Sequence, residues 1–178
     1  MNQNKRDLSI SMREAGTKSL WVMLPLMVIQ SLAFIAPHGY QSFPENANLP
    51  MYGFLLLLGI FIHETIHVLA WMIFGKKSLK VFYIGFQWKS LAPYAHCKEP
   101  MDILPYRIGS IAPGLLLGIL PWIVSLFTGD ILLFIYGWLY TTAAGGDFLI
   151  LWILRYVKPN TLVEDHPTRA GCYVMASE

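Results

Sequence analysis

Four apolar stretches, each about as long as a bilayer is thick, dominate this sequence. A membrane-spanning helix needs about 20 apolar residues, and the stretches cover residues 20–36, 51–74, 108–127 and 131–154. Because the third and fourth are separated by a very short connection, these two are expected to form an antiparallel helical hairpin. The sequence therefore predicts an all-α membrane protein with four transmembrane helices, one domain over residues 1–178, and a cytoplasmic tail over 155–178.

The composition excludes the main soluble classes. Of 178 residues, 55% are hydrophobic and 13% are charged, whereas soluble domains carry about 25% charged residues. An aromatic content of 14% and a mean hydropathy of +0.48 exclude disorder. Two cysteines are too few for a disulfide scaffold, and a net charge of +2 gives no basis for binding nucleic acid.

The positive charges alternate along the chain. Four Lys and Arg residues precede the first stretch, six lie between the second and third, and three follow the fourth, which accounts for all 13. Since cytoplasmic loops carry the excess of Lys and Arg, both termini are expected in the cytoplasm. Alternatively, the first stretch is a cleaved signal peptide with its site at Ser31–Ala33. Cys97 and Cys172 both fall on the cytoplasmic side and are expected to be free thiols.

A short β-hairpin is predicted between the second and third stretches. Leu79–Trp88 is rich in β-branched and aromatic residues, which is typical of a strand. Lys89-Ser90 could turn this strand back onto Leu91–His96. The apolar residues do not alternate cleanly, so an irregular amphipathic loop is the alternative.

The second stretch contains the pattern HExxH. His63 and His67 are four residues apart and so lie on one face of a helix, where two imidazoles can bind one Zn²⁺. Glu64 lies beside them, placed to take a proton from a zinc-activated water. The alternative is a pair of buried histidines that hydrogen-bond between helices. That alternative does not explain the carboxylate between them.

Asp147 in the fourth stretch is the predicted third zinc ligand. It lies seven residues before the cytoplasmic end of its span, as His67 does in the second, so both are about 10 Å from the same membrane face. The preceding Ala143–Gly146 has almost no side-chain bulk and would let the two helices approach closely. Other candidates for ligands, or for residues that support the ligands, are His96, Cys97, Asp165 and His166.

The third stretch carries residues typical of close helix packing. Gly114 and Gly118 have the GxxxG spacing, and Pro113 is placed to kink the helix. We interpret this span as structural, with a role in gating substrate entry as a further hypothesis.

The chain resembles the site-2 protease group of intramembrane zinc metalloproteases. The resemblance lies in the order of its features, which are HExxH, a β-like segment, a further span, and an Asp two spans downstream. The chain is more similar to small bacterial membrane proteins identified as zincin peptidases, which share HExxH, a Gly-Asp in the last helix and a tail like Asp165–Val174. The resemblance covers residues 51–175. It implies His63, His67 and Asp147 as zinc ligands, Glu64 as the base, and a bacterial inner membrane. One departure is Gly146-Asp147-Phe148, where site-2 proteases usually have Asp-Gly.

The predicted function is that of a zinc endopeptidase that cleaves within or beside the membrane and is reached from the cytoplasm. Its expected partners are the bilayer and a membrane-embedded protein or peptide substrate, which could pair with the strand at Leu79–Trp88. Assembly of several copies is left open. One alternative is a metal-binding scaffold or pseudoprotease without hydrolytic activity. Another is an ion transporter that uses the same polar residues as a relay.

Overall fold

Three helices are long and apolar enough to cross a membrane. The computed structural model describes residues 5–88 and 92–175, and within them these helices run over Met12–His38, Leu49–Gly75 and Ile103–Thr128. They contain the first three predicted spans. Each extends beyond the apolar residues at both ends.

Helices and strands are named in chain order. The helices are α1 (Met12–His38), α2 (Leu49–Gly75), α3 (Ile103–Pro113), α4 (Leu120–Thr128), α5 (Ile131–Ala143) and α6 (Gly145–Ile153). A π-helical segment, Gly114–Ile119, joins α3 to α4, and a 3₁₀ turn, Leu79–Val81, precedes β2. The strands are β1 (Lys5–Ile10), β2 (Phe82–Gln87), β3 (Ala92–Cys97), β4 (Met101–Asp102), β5 (Leu162–Asp165) and β6 (Ala170–Met175).

Polar caps set where the helices begin. At the start of α1 the Ser11 side chain accepts from the Glu14 backbone N–H, and the Glu14 carboxylate accepts from the Ser11 N–H. This reciprocal pair satisfies two otherwise free amides, so α1 begins eight residues before the predicted apolar span. Asn48, Asp102 and Asp130 cap α2, α3 and α5. In each case a side-chain oxygen of the cap residue accepts from a backbone N–H in the first turn of the helix.

The fourth apolar stretch is two helices rather than one. Helix α5 ends at Ala143, Ala144 leaves the helical conformation with ψ near 4°, and α6 begins at Gly145. The prediction of a continuous helix over 131–154 is therefore wrong. Two successive glycines follow the break, and glycine is the weakest helix former after proline.

The predicted β-hairpin is present, with a shorter first strand. β2 pairs antiparallel with β3 from Phe82 opposite Cys97 to Gln87 opposite Ala92. The first residues of the predicted strand form the 3₁₀ turn instead. The predicted turn at Lys89-Ser90, together with Leu91, lies outside the described residues.

A second sheet of four strands joins the two ends of the chain. Its order is β1-β6-β5-β4 and all neighbours are antiparallel, with Lys5 opposite Met175 and Val163 opposite Val174. The prediction of an all-α protein is wrong for this reason. Residues 155–178, predicted only as a cytoplasmic tail, supply two of the strands. β6 pairs with β1 across about 160 residues and β5 pairs with β4 across about 60, so no local pattern reveals these partners.

Both sheets pack against the same end of the helices, which we call the sheet end. β1 precedes α1, β2 follows α2, β4 precedes α3 and β5 follows α6. A buried apolar cluster at this end includes Trp71 of α2, Tyr106 of α3, Leu154 after α6, Cys97 of β3 and Cys172 of β6. Burial of this cluster fixes the sheets relative to the helices.

Glycines allow the π-helical segment to pack closely on α5 and α6. A Cβ atom added to Gly118 would lie 2.6 Å from the Thr141 backbone nitrogen, and one added to Gly114 would lie 2.8 Å from the Phe148 ring. The predicted close packing at Gly114 and Gly118 is therefore confirmed. A larger residue at either position would push these elements apart.

We predict that Gly118→Ala destabilises the protein by about 1–3 kcal/mol, because the added methyl group meets backbone atoms that cannot rotate away. The matched control is Gly53→Ala in α2, where an added Cβ meets nothing within 4 Å and should be neutral or stabilising by up to about 1 kcal/mol. Reversible unfolding in mixed micelles measures both changes. Equal stabilities for the two variants would contradict this packing.

Candidate metal centre

Two histidines of α2 lie on its buried face. His63 and His67 are one helical turn apart, as their spacing predicts. Their ring centroids are 4.9 Å apart and the rings are nearly perpendicular, at 77°. Less than a tenth of each residue is exposed, so both imidazoles are held away from bulk water.

Asp147 joins the two histidines from α6. Its Oδ2 lies 3.1 Å from His63 Nε2, and its Oδ1 lies 3.4 Å from His67 Nε2. One ligand atom from each residue lies within 4.8 Å of the other two. The structure thus brings together the three residues that the sequence predicts as ligands.

The break before α6 positions this carboxylate. Asp147 occupies the first turn of α6, where the free amides of a helix favour a negative charge. Gly145 packs against Met23 and Ser19 of α1, while a Cβ on Gly146 would meet nothing within 4 Å. The small residues before Asp147 therefore accommodate α1 and border open space. The expectation that they allow close approach to α2 is wrong.

A backbone carbonyl of α3 fixes the orientation of His67. His67 Nδ1 lies 2.9 Å from the Gly109 carbonyl oxygen. In a regular helix this oxygen would accept from the N–H of residue 113, but residue 113 is proline and has no N–H. The oxygen accepts from Nδ1–H of His67 instead. A neutral His67 then keeps the Nε2 lone pair free for a metal, the arrangement usual for histidine ligands.

Trp71 supports the same contact from one turn further along α2. Its ring stacks on His67 at a centroid distance of 5.5 Å, and its Nε1–H donates to the Tyr106 carbonyl at 3.2 Å. A Cβ on Gly109 would lie 2.0 Å from Trp71 Nε1. Only glycine at this position lets α3 approach α2 closely enough for the Gly109 carbonyl to reach His67.

Glu64 lies between α2 and the β2–β3 hairpin. It is 6% exposed, and its carboxylate interacts with the backbone N–H of Ala95 in β3. Glu64 lines a cavity together with His63, His67 and Asp147. The carboxylate is thus held beside the three candidate ligands.

The cavity has a volume of about 400 Å³ and reaches the sheet end. Its walls include residues of α1, α2, β3, α3, α5 and α6, and of β5, β6 and the connection between these two strands. Residues from that connection include Pro167, Thr168 and Arg169. Both the N-terminal and the C-terminal parts of the chain therefore contribute to the enclosure around Glu64.

The other candidate ligands do not join the three-residue group within the described ranges 5–88 and 92–175. His96, Asp165 and His166 line the cavity, and Cys97 does not. Cys97 is fully buried in the apolar cluster, and this burial raises the pKa of its thiol. Because a thiolate is the form that binds metals, Cys97 is a structural residue.

His166 stabilises the loop that follows β5. Its Nδ1 accepts from the backbone N–H groups of Thr168 and Arg169 at 3.1 and 3.0 Å, and its Nε2 lies 2.9 Å from the Tyr173 hydroxyl. Burial lowers the pKa of His166, which favours the neutral ring that these bonds require. Both nitrogens of His166 are thus engaged within the protein.

The donor set fits a catalytic zinc ion. Two imidazole nitrogens and one carboxylate oxygen converge, which matches the three protein ligands of catalytic zinc sites that leave a position for water. The group is partly buried and faces a cavity, so a substrate could reach such a position. Structural zinc sites usually have four protein ligands, and the observed set has three.

Sequence analysis did not identify several residues that shape the site. Gly109, Trp71, Tyr106 and Ala95 contact the candidate ligands, Glu64 or one another. The sequence contains one indication of this contact. Pro113 has no N–H, so the carbonyl oxygen of Gly109, four residues earlier, has no donor within the helix. Nothing in the sequence showed that His67 would be its partner.

A comparison with protein families bears directly on this site. The model of a family described as "putative zincin peptidase" matches residues 56–162, which include all three candidate ligands and Glu64. The chain belongs to this family. The match supports the resemblance to zincin peptidases seen in the sequence, and zinc is the metal implied for this zincin. No curated protein and no solved structure matches the chain.

We predict that Pro113→Ala weakens zinc binding about 10- to 100-fold, the usual cost of losing a partner of a histidine ligand. The new N–H of residue 113 would compete for the Gly109 carbonyl and release His67 Nδ1. Competition with a zinc chelator measures the affinity. Pro121→Ala is the matched control, because Pro121 lies in the first turn of α4, away from Gly109. Equal zinc affinities in wild type and Pro113→Ala would contradict this role.

Proposed function

We propose that this zincin is a zinc-dependent endopeptidase that hydrolyses peptide bonds within or beside a membrane. The observation that carries the proposal is the convergence of His63, His67 and Asp147 beside Glu64, in a cavity among apolar helices. Family membership supports zinc peptidase chemistry. The membrane location of the cleavage is inferred from the helices that surround the site.

Four membrane crossings are part of this proposal. Three helices are long enough alone, and α5 with α6 would form the fourth, since β5 after α6 pairs with β4 before α3. β1 pairs with β6, so the segments at the two chain ends lie together. The distribution of Lys and Arg places this side in the cytoplasm. The resemblance to bacterial proteins suggests an inner membrane.

The proposed chemistry assigns one role to each residue of the site. His63 and His67 would bind zinc through Nε2, and Asp147 through a carboxylate oxygen. Bound zinc supplies a Lewis acid that polarises the peptide carbonyl and makes water more acidic. Glu64 accepts the proton of the attacking water and then gives it to the leaving amine nitrogen. The Ala95 N–H of β3 faces the Glu64 carboxylate.

The substrate would bind in an extended form along β3. Pro93, Ala95 and His96 of this strand line the cavity. The N–H groups of Ala95 and Cys97 face Glu64 and Asp165 rather than β2, so this edge is not paired with the other strand of the hairpin. We therefore place the extended substrate beside β3, at the cavity, instead of pairing it with the strand at Leu79–Trp88 that the sequence favoured.

An apolar groove beside Glu64 supports a membrane-embedded substrate. It lies between α2 and the hairpin and is lined by Ile60, Phe61, Tyr83, Ile84 and Phe86. Apolar side chains next to the cleaved bond would fit there. Such a segment must leave the helical form to be cut, which favours substrates with Gly or Pro near the site.

A relation to site-2 proteases is also proposed. It is supported by the HExxH helix, the following hairpin and an Asp ligand two spans later. The local sequence Gly146-Asp147-Phe148 departs from the usual Asp-Gly of that group. The relation concerns the order of the elements, and the chemistry proposed above does not depend on it.

We predict that Glu64→Gln lowers kcat by a factor of about 10² to 10⁴ and retains one zinc per chain, since an amide cannot accept the water proton. The assay follows cleavage of a labelled apolar peptide containing Gly and Pro, reconstituted with the protein in liposomes. Glu99→Gln, at an exposed residue paired with Lys77 at 3.0 Å, is the control and should cleave as wild type does. Full activity of Glu64→Gln would contradict the mechanism. Zinc without any cleavage by wild type would favour a metal-binding scaffold.

A further inference from the structure

Asp165 is held by three hydrogen-bond donors at the wall of the cavity. Its Oδ2 lies 3.0 Å from His96 Nδ1 and accepts from the Cys97 backbone N–H at 3.3 Å. Its Oδ1 accepts from the Tyr106 hydroxyl at 2.9 Å. The side chain is 12% exposed. Three donors on a largely buried carboxylate fix its position.

This carboxylate orients the His96 ring and requires a proton on its Nδ1. An ionised carboxylate only accepts, so Nδ1 of His96 must donate. Within residues 5–88 and 92–175, no partner is seen for Nε2 of His96. His96 lines the same cavity as Glu64. A ring anchored through Nδ1 by an acid thus has its second nitrogen available to a bound molecule.

The strand β3 sets the spacing between this pair and Glu64. The Ala95 N–H faces Glu64 and the Cys97 N–H faces Asp165. Two residues along a strand span about 6.5–7 Å. Glu64 and Asp165 therefore face neighbouring outward N–H groups along one strand edge, and Glu64 and His96 line the same cavity.

We propose that His96 is a catalytic residue that donates a hydrogen bond from Nε2 to the carbonyl oxygen of the peptide bond being cleaved, and that Asp165 is its positioning residue. This inference rests on the proposed function. In this role the Nδ1–H of His96 donates to Asp165 and its Nε2–H is directed to the substrate carbonyl oxygen. The carbonyl oxygen gains negative charge when water adds, and a donor fixed in advance stabilises that charge most.

His166 provides the matched control for His96. Both histidines line the cavity, but both nitrogens of His166 are occupied by Thr168, Arg169 and Tyr173. His166 therefore has no nitrogen available for a substrate. A loss of rate that comes only from removing an imidazole near the cavity would appear in both variants.

The test compares the full-length, zinc-loaded wild type with His96→Ala, Asp165→Asn and His166→Ala. His96→Ala should lower kcat by a factor of about 10² to 10³, the usual effect of removing one such donor, with one zinc per chain retained. Asp165→Asn should lower kcat less and alter its pH profile, because an amide does not enforce protonation at Nδ1. His166→Ala removes only the hydrogen bonds of its own loop, so its kcat should fall by a much smaller factor than that of His96→Ala. Added imidazole should partly restore the rate of His96→Gly.

A second measurement does not depend on turnover. A phosphinic peptide, whose tetrahedral anion resembles the peptide after water has added, should bind His96→Ala at least about tenfold more weakly than wild type or His166→Ala. Equal affinities, or an unchanged kcat in His96→Ala, would overturn the proposal. Loss of zinc in His96→Ala would also overturn it, because His96 would then be a ligand. If wild type cleaves nothing, the proposed function fails, while the phosphinic peptide still tests His96.

Discussion

The burial of two imidazoles and a carboxylate among apolar helices is the constraint that organises this protein. Such groups are costly in a membrane unless each has a partner. The structure supplies the partners, since Asp147 meets both histidines and the Gly109 carbonyl meets His67. Two irregularities make this possible. Pro113 frees the Gly109 carbonyl in α3, and the break at Ala144 places Asp147 in the first turn of α6. Both departures from regular helix geometry therefore lie next to residues of the candidate metal site.

The sheet end completes the site that the helices begin. The helices supply the candidate ligands, whereas β3 supplies the Cys97 N–H that donates to Asp165 and the Ala95 N–H that faces Glu64. The pairing of β1 with β6 brings both chain ends to the cavity wall. Residues that are distant in sequence thereby enclose a volume of about 400 Å³. The helices and the strands of both sheets thus line one cavity together.

The parts predictable from the sequence are those encoded locally. Apolar length predicted three long helices, and the spacing of His63 and His67 together with the depth of Asp147 predicted the three residues that meet. The division of the fourth stretch and the four-stranded sheet were missed, because glycine-dependent breaks and strand pairing across about 160 residues depend on tertiary packing. The sequence predicted His96 and Asp165 only as alternative ligands or as residues that support the ligands. Their mutual contact arises from the meeting of β3 with β5, which no spacing in the sequence records.

The zinc content of the purified protein tests the central claim most directly. Wild type and Asp147→Ala would be compared in detergent by metal analysis, with Asp7→Ala at an exposed residue of β1 as control. The account predicts about one zinc per chain in wild type and in the control, and loss of zinc from Asp147→Ala, because two histidines alone do not complete a catalytic zinc site. Zinc retained at full occupancy in Asp147→Ala, or absent from wild type after zinc is added, would contradict it.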